Sequence, residues 1–364
     1  MADASPDPTA PLATGDSGPR PRGRLTWVDD ARGIAIVLVV VGHVLSGIDP
    51  GWLTGPREAE FSLLARWIYT FHMPAFFLLA GLFAPGSIRK GAGRFLTDKV
   101  ATIAYPYLAW GILQTSVQAV LARYVHNPAG PREFARLLYD PPMQFWFLYV
   151  LSLAFVVYAL CHAARLGGAG LLAIAVAVGL VAYGRGAAPS SIPGRFAEQV
   201  PFFALGVLLH RGAGLATRPP VPVLVGIAAA GAVANTLLAN VPDVPYPGRL
   251  LMALPGIAML VATAGAIAGL GGSRPLERLG RWSLEIYLVH VLAYALARIV
   301  LKVGLGVTDP VVHLVVGSVV GVAVPAALAA LVERLAIPYV FRWPSRRPSP
   351  SPAPATAAGP GGGG

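Results

Sequence analysis

Charged residues are scarce in this 364-residue chain. Asp, Glu, Lys and Arg make up 12% of it, whereas 55% is hydrophobic and the mean hydropathy is +0.63. Soluble domains average about 25% charged residues, so the composition excludes an ordinary soluble globular protein. The abundance of apolar residues excludes a wholly disordered chain. The single cysteine, Cys161, excludes an intramolecular disulfide framework and a cysteine-based metal cluster. A polytopic membrane protein is the class that is left.

Apolar runs long enough to cross a bilayer recur along the chain. A spanning helix needs about 17 to 25 residues, and the runs are separated by segments rich in proline, glycine or charge, which interrupt helices. The sequence therefore predicts an all-α bundle of about ten transmembrane helices. The predicted spans are residues 31–48, 61–84, 100–124, 144–164, 167–183, 196–210, 221–240, 250–270, 283–301 and 311–331.

Polar segments flank these spans at both ends of the chain. Residues 1–30 hold proline, glycine and aspartate and have no apolar core of the kind found in a secretory signal peptide. Residues 344–364 are a low-complexity run of proline, serine, alanine and glycine. We therefore expect a disordered cytoplasmic N-terminal tail, a membrane domain over residues 31–343, and a disordered C-terminal tail.

Basic residues outnumber acidic ones, and the formal net charge is +11. In a soluble protein this excess would suggest a nucleic-acid partner, but Lys and Arg in cytoplasmic loops also orient membrane proteins. With the N terminus in the cytoplasm, most of the 28 Lys and Arg residues fall in cytoplasmic segments. The charge then needs no nucleic acid to explain it. We expect a multi-pass protein of the plasma membrane, surrounded by the lipid bilayer, with both termini in the cytoplasm.

Three histidines lie at membrane depth. Ionisable groups there are costly and are functional candidates by default. His43, His72 and His290 each fall well inside a predicted span. Each also has an ordinary interpretation, which is a hydrogen bond to a neighbouring helix. No two of them are three or four residues apart on one helix, so the sequence predicts no metal site.

The first span places Arg32 and His43 on one face. They are eleven residues apart, which is about 16 Å and about three turns of helix. Arg32 then lies at the cytoplasmic edge and His43 near mid-membrane, an arrangement that suits an extended ligand with an anionic head and a reactive far end. A coenzyme A thioester has that shape. In the alternative interpretation, Arg32 is a topology charge and His43 a bonded core histidine. Asp29 or Asp30 can cap the start of this helix.

The ninth span and the segment after the second span carry further polar candidates. Ser283, Tyr287 and His290 follow at i, i+4 and i+7, so they share a helix face. Glu285 lies within a turn of the expected cytoplasmic surface. Hydrogen bonds between helices are the other interpretation of this face. Arg94 and Lys99 lie in a basic segment that either binds phosphate or only orients the protein.

Five segments in order resemble the integral-membrane acyltransferase 3 family. The first resembles the family's aspartate, arginine-glycine and histidine pattern. The WVDDARGIA opening and the histidine of FHMP resemble the fucose 4-O-acetylase-like branch. Trp282 stands where many members have tyrosine, and the basic segment lacks a clean pair of arginines three apart. The five segments are VDDARGIAIVLVVVGH, FHMPAFFLLAGLF, QFWFLYVL, PFFALGVLL and LGRWSLEIYLVH.

The resemblance implies an O-acyltransferase with no permanently bound cofactor. Its donor is a cytosolic acyl-CoA, with acetyl-CoA expected, and its acceptor is a hydroxyl of a sugar, glycan, glycolipid or macrolide-like molecule. His43 is implied as the catalytic base, and both direct transfer and an acyl-histidine intermediate fit it. His72 and His290 would assist it, and Gly42 would leave space for the acyl chain. The implied CoA contacts are Arg32, Arg94 and Lys99, and the implied lining residues are Asp29, Gly42, Trp146, Glu285 and Tyr287.

A transporter or flippase for a lipid-linked or glycan substrate is the competing class. Polar groups at mid-membrane and broken helices occur there as well. The chain shows no paired internal repeat of the kind that transporters often carry, and the spacing of Arg32 and His43 has no evident role in transport. Hydrolysis or transfer of acyl-CoA by the purified protein discriminates between the two classes.

Reporter fusions test the predicted topology. Fusions at Gly51, Gly91 and Pro344 should report outside, inside and inside, because the basic excess then lies in the cytoplasm. The measurement is the activity of a reporter that is active on only one side of the membrane. An outside signal at Pro344 contradicts the even number of spans.

Overall fold

The computed structural model describes residues 25–122, 129–212 and 219–344. Most of the two predicted tails lies outside these ranges. The first helix already begins at Thr26, so the last five residues of the predicted N-terminal tail are helical. Within the described ranges all the regular elements are helices, which confirms the predicted all-α bundle.

Fourteen α-helices make up the described part of the chain. Short turns of 3₁₀-helix precede α2 and α7, and π-helical turns at Val100–Ala104 and Val300–Gly304 adjoin α5 and α13. The α-helices are α1 (Thr26–Gly47), α2 (Pro56–Tyr69), α3 (His72–Ile88), α4 (Ala92–Lys99), α5 (Tyr105–Val120), α6 (Pro131–Arg136), α7 (Trp146–Ala163), α8 (Gly167–Gly184), α9 (Ile192–Leu209), α10 (Val221–Leu238), α11 (Gly248–Gly269), α12 (Arg274–Arg281), α13 (Ser283–Ile299) and α14 (Pro310–Arg334).

Seven helical stretches of the described chain are long and apolar enough to cross a membrane. They contain α2 with α3, α7, α8, α10, α11, α13 and α14. The helices α1, α5 and α9 pack into the same bundle, because α1 contacts α11 to α14, α5 contacts α13, and α9 contacts α3 and α8. The chain is therefore a polytopic membrane bundle, and the number of ten spans stays a prediction.

The two ends of the bundle are named here after the residues of α1 that lie at each. At the Arg32 end, the Arg32 guanidinium lies 5.2 Å from the ring of Phe83, near the end of α3. At the Gly47 end, the carbonyl of Gly47 accepts a hydrogen bond of 2.8 Å from Arg298, near the end of α13. The helices α1 and α13 therefore run in the same direction, whereas α3 runs in the opposite one.

Glycines allow the closest helix crossings. A Cβ on Gly81 of α3 would overlap the carbonyl oxygen of Phe203 on α9, and a Cβ on Gly206 would overlap that of Leu78. The same relation joins α1 to α12, where a Cβ on Gly280 would overlap the backbone of Asp29. Small residues let backbones approach closely in this way, and dispersion contacts then hold the helices together.

The structure differs from the sequence expectations at the second span. Residues 61–84 are not one helix, because α2 ends at Tyr69 and α3 begins at His72. Pro74 has no N–H to donate to the carbonyl of Thr70, which explains a break at this point. His72 is therefore the first residue of a helix, although it lies midway along the apolar stretch Pro56–Ile88.

Three smaller expectations are also corrected. Neither Asp29 nor Asp30 caps α1, because the N-cap residue is Leu25 and both aspartates lie inside the helix. The basic segment is not a loop, since α4 carries both Arg94 and Lys99. The short sixth span, residues 196–210, belongs to the longer helix α9.

The crossing of α3 and α9 makes Gly81 sensitive to added volume. Gly81→Ala should destabilise the protein by about 1–3 kcal/mol, as overpacking does in well-packed interiors. Gly226→Ala is the matched control, because a Cβ on this α10 glycine meets nothing within 4 Å and alanine favours helix. The measurement is the temperature at which the detergent-solubilised protein loses its monodisperse chromatographic peak. Equal midpoints for the two variants would contradict the packing argument.

Candidate active site

A cavity of about 630 Å³ lies towards the Gly47 end of the bundle. Residues of α1, α2, α5, α7 and α13 line it, together with the turn before α7. Apart from Arg298, its polar groups are uncharged hydroxyls, amides and an imidazole. The polar and aromatic residues that line it are His43, Ser46, Tyr69, Gln114, Gln118, Gln144, Trp146, Tyr294 and Arg298.

His43 has a defined tautomer in this cavity. Its Nδ1 lies 2.8 Å from the carbonyl oxygen of Val39, one turn earlier on α1. A carbonyl oxygen only accepts hydrogen bonds, so Nδ1 carries the proton and donates it. In a neutral ring Nε2 then holds a lone pair. His43 therefore brings a hydrogen-bond acceptor and potential base to the cavity.

His290 contacts His43 directly. The two ring centroids are 4.9 Å apart in an edge-to-face arrangement. The Nδ1 of His290 donates to the carbonyl of Tyr287 at 2.7 Å, and its buried Nε2 has no hydrogen-bond partner among the described residues. The structure thus brings together two of the three histidines that the sequence singles out.

Tyr69 joins His72 to this pair. Its ring centroid is 5.0 Å from that of His72 and 6.4 Å from that of His43. Its hydroxyl forms a hydrogen bond of 3.0 Å with Ser46. The Nδ1 of His72 donates to the carbonyl of Ile68 at 2.7 Å. His72 does not line the cavity, but its ring contacts that of Tyr69, which does.

Gly42 has a different role from the expected one. A Cβ at this position would lie 3.3 Å from the Ile68 side chain and 3.5 Å from the ring of Tyr69. The space beside Gly42 is therefore filled by α2 and is not open to an acyl chain. The absence of a side chain instead lets Tyr69 approach α1.

Tyr287 and Gln144 form a wall of hydrogen-bonded groups beside the site, in which Gln144 lines the cavity and Tyr287 does not. The Tyr287 hydroxyl donates to the carbonyl of Gln144, and the Tyr287 ring packs 5.2 Å from that of Phe147. The Gln144 amide donates to the Gln114 side chain at 2.7 Å. This wall connects α13, α7 and α5. Trp146 lines the cavity next to it, and the Arg195 guanidinium lies 4.8 Å from the Trp146 ring.

Arg32 and Lys99 lie together at the other end of the bundle. Burial lowers the pKa of the Lys99 ammonium, and the nearby charge of Arg32 lowers it further. The Lys99 nitrogen lies 4.4 Å from the centre of the Phe155 ring. Two like charges held close together favour an anion between or beside them. Arg94 is exposed on α4.

Asp29 and Glu285 also lie away from the histidines. Asp29 is buried at the start of α1, where its backbone packs against Gly280. Glu285 lines a separate cavity at the Arg32 end. Both were expected to line the site of His43, and neither lines its cavity.

Several residues that line the cavity were not predicted from the sequence, because they carry no charge. Gln114 and Gln118 are one turn apart on α5 and point to a polar helix face, a signal as strong as that of Tyr287 and His290. Ser46 lies three residues after His43 and could have been placed on its face. Tyr69 precedes the break before Pro74 and carried no such signal.

The chemistry available to this cavity is proton transfer with a hydroxyl-bearing ligand. A neutral imidazole can accept a proton from a hydroxyl in hydrogen-bond reach. Amides and hydroxyls both donate and accept, so they match a ligand rich in hydroxyl groups. Among the described residues no group of three His, Cys, Asp or Glu side chains is placed to hold a metal ion.

Comparison with known proteins indicates the family of this chain. A family model described as an acyltransferase domain matches residues 25–330. The chain is 29% identical over 206 residues to a nodulation protein, NolL, of Sinorhizobium fredii, and this match covers 54% of the chain and 52% of the relative. It is 34% identical over 88 residues to NolL of Mesorhizobium japonicum, covering 22% and 21%. The chain thus spans about half the length of the first relative.

No solved structure matches the chain. The family model, however, covers most of the bundle, from the residue before α1 to the last turns of α14. The chain therefore belongs to the acyltransferase 3 family.

Proposed function

We propose that the protein transfers an acyl group from acyl-CoA, with acetyl-CoA as the expected donor, to a hydroxyl of a sugar, glycan, glycolipid or related metabolite. The observation that carries this proposal is the distance of 2.8 Å between Nδ1 of His43 and the Val39 carbonyl oxygen, which assigns the proton to Nδ1 and the lone pair to Nε2. This Nδ1 proton is held by the Val39 carbonyl, and the ring lines a cavity whose other polar groups suit a hydroxyl-rich acceptor.

The reaction then needs one base. Nε2 of His43 accepts the proton of the acceptor hydroxyl while its oxygen attacks the thioester carbonyl. When the carbon–sulfur bond breaks, the thiolate of CoA leaves and takes that proton from His43. His290 packs against the imidazole at 4.9 Å and keeps its orientation. Donors in the cavity such as Tyr69 and Ser46 can stabilise the negative charge on the oxygen in the transition state.

The placement of charge supports opposite entry of the two substrates. Arg32 and Lys99 lie at one end of the bundle, where the phosphates of CoA would bind. The His43 cavity lies towards the other end, and its single charged lining residue is Arg298. With both termini in the cytoplasm, the donor approaches from the cytosol and the acceptor from the outer face of the plasma membrane.

His43→Gln should abolish transfer while leaving the bundle intact. Loss of a general base typically costs roughly a hundred- to ten-thousand-fold in rate, and glutamine keeps a hydrogen-bonding side chain of similar length. The measurement is the CoA thiol released from acetyl-CoA by membranes that contain equal amounts of each variant. Cys161 is buried, so the reagent that detects the released thiol should not react with the protein itself.

The matched control is His313→Gln. His313 is also a buried histidine bonded to a backbone carbonyl, that of Val307 at 2.9 Å, but it does not line the cavity. The His313→Gln variant should therefore keep most of the wild-type activity. If His43→Gln retains more than about a tenth of wild-type activity, His43 is not the base.

Arg32 has its own test. If it contacts a CoA phosphate, Arg32→Ala should raise the KM for acetyl-CoA much more than the KM for the acceptor. Arg32→Lys should recover part of the loss, because a point charge still attracts phosphate but cannot bind it in a bidentate manner. The measurement is initial rate over a matrix of donor and acceptor concentrations. Equal increases in both KM values would indicate a role in folding or topology instead.

A further inference from the structure

A further cavity, of about 400 Å³, shares Tyr69 with the His43 cavity, and we name it the Gln199 cavity. Residues of α2, α3, α9 and α11 line it, together with the end of α10 and the connection that follows. Its volume falls within the usual range of small-molecule sites, about 300–1,000 Å³. Neither the family resemblance nor the chemistry at His43 gives it a role. Its polar lining includes Arg66, Tyr69, Glu198, Gln199, Asp243 and Arg249.

The Gln199 cavity lies towards the Gly47 end of the bundle. The imidazole of His210, just after α9, lies 2.6 Å from the carbonyl oxygen of Leu82, the neighbour of Phe83 at the Arg32 end. Glu198 and Gln199 precede His210 by about 17 Å of helix, so they lie away from the Arg32 end. The first turn of α11 also lies away from it, because α11 leads to α12, which packs against the start of α1. Under the proposed function, the acceptor enters from this side.

Hydrogen bonds hold the walls of the Gln199 cavity in place. On one side, the Arg66 guanidinium donates to the carbonyl of Ala239 at 3.2 Å, which ties α2 to the end of α10. On the other, Arg249 forms a salt bridge of 3.2 Å with Glu198, and the Tyr183 hydroxyl donates to the same carboxylate at 2.7 Å. These contacts connect α8, α9 and α11. The cavity is therefore a preformed feature of the bundle.

Polar atoms of this lining lack partners within the protein. Gln199 is 9% exposed, and its buried Oε1 has no hydrogen-bond partner among the described residues. The buried Nε of Arg249 has none there either. Both contacts of the Glu198 carboxylate are made by Oε1, which leaves Oε2 to a ligand. Because a buried polar group without a hydrogen bond is costly, an open acceptor and an open donor in one cavity point to a ligand that supplies both.

An uncharged sugar fits these groups. Two arginines and two carboxylates line the cavity, so their charges balance and favour neither an anion nor a cation. A sugar hydroxyl both donates and accepts hydrogen bonds, so it can bond to the Gln199 amide, the Glu198 carboxylate and the Arg249 guanidinium. The apolar face of a sugar ring can pack on the rings of Tyr69 and Phe202, which also line the cavity.

We propose that the Gln199 cavity binds a neutral sugar unit next to the unit that is acylated, so that the acceptor is an oligosaccharide or glycan chain and not a lone monosaccharide. The Tyr69 ring is 6.4 Å from that of His43 and lines both cavities. His43 lines only its own cavity, so the bound unit does not reach Nε2, whereas the next unit of the same chain passes Tyr69 and does. The inference rests on the proposed function, because it names the substrate class of that reaction.

The first test is the stability of Gln199→Leu. Leucine removes the amide and keeps a side chain of similar size. Because the amide bonds to no other described residue, the substitution should leave the unfolding temperature of the purified protein unchanged or raise it. The measurement is thermal unfolding in detergent without sugar. A clear decrease would mean that the amide has a structural partner, contrary to the inference.

The second test measures the transfer of radiolabelled acetyl groups from acetyl-CoA to a panel of neutral disaccharides and to the methyl glycosides of their component sugars. In wild type, kcat/KM for the best disaccharide should exceed that for either component glycoside by roughly ten- to a hundredfold. Gln199→Leu and Glu198→Gln should each reduce this preference by roughly five- to tenfold. The KM for acetyl-CoA and kcat/KM for the monosaccharide glycosides should stay near their wild-type values.

Asn240→Leu is the matched control. It removes an amide from the connection between α10 and α11, but Asn240 is exposed and lines neither cavity, so the preference should not change. If wild type uses the monosaccharide glycosides as well as the disaccharides, or if either cavity variant keeps the wild-type preference, the inference is wrong and the proposed function stands. If wild type acetylates no sugar of the panel, both are wrong.

Disaccharides with a uronic acid in place of one neutral unit test the charge balance of the cavity. Wild type should use them no better than the matched neutral disaccharides, because the two carboxylates of the lining offset its two arginines. A preference for the acidic disaccharides would mean that Arg66 and Arg249 form an anion site, which contradicts the inferred neutral sugar.

Discussion

The packing of α1 is the constraint on which the rest of the site depends. Ala31, Ala35, Ile36 and Val39 are fully buried, and the helix contacts α11, α12, α13 and α14. Close helix contacts at glycines fix the position of α1 along its own axis, because a shift along that axis would bring side chains against the backbone of a neighbouring helix. Arg32 and the catalytic candidate His43 both lie on this helix, so its packing fixes the distance between them and the residues that each contacts.

Backbone carbonyls rather than carboxylates orient the three histidines. In each case Nδ1 donates to a carbonyl of the preceding turn of the same chain, that of Val39, Ile68 or Tyr287. A carbonyl fixes the ring and its tautomer without placing a negative charge in the bundle. Such a partner is also cheap to bury, because the oxygen already belongs to the helix. The cost of a second intramembrane charge is thereby avoided.

Much of the bundle could be read from the sequence because membrane helices have strong signals. The lengths of the apolar runs predicted where most of the helices lie, and the period of the α-helix predicted that Arg32 and His43 share one face. The partners of those residues could not be read, because they depend on which helices cross. Gly42 illustrates this limit: its lack of a side chain was visible, but that Tyr69 fills the space is a consequence of tertiary packing.

The positions of Asp29 and Glu285 illustrate the same limit, because both were predicted to line the site and both lie away from it. Both lie on helices that carry site residues, and depth along the helix separates them from the histidines. Glu285 precedes His290 by more than one turn and lines the cavity at the Arg32 end, whereas His290 lines neither that cavity nor the His43 cavity and contacts the ring of His43. Sequence motifs order residues along a helix, but the division of a bundle into cavities depends on side chains from other parts of the chain, such as Gln144 in the turn before α7 and Phe341 after α14.

Hydrogen bonds join three parts of the chain beside the His43 cavity. Tyr287 donates to the Gln144 carbonyl, and the Gln144 amide pairs with Gln114, so α13, the turn before α7 and α5 are connected. Each such bond contributes only about 0.5–1.5 kcal/mol net. Under the proposed function, a donor whose pantetheine arm offers its own amides can therefore replace these bonds at little cost as it reaches His43.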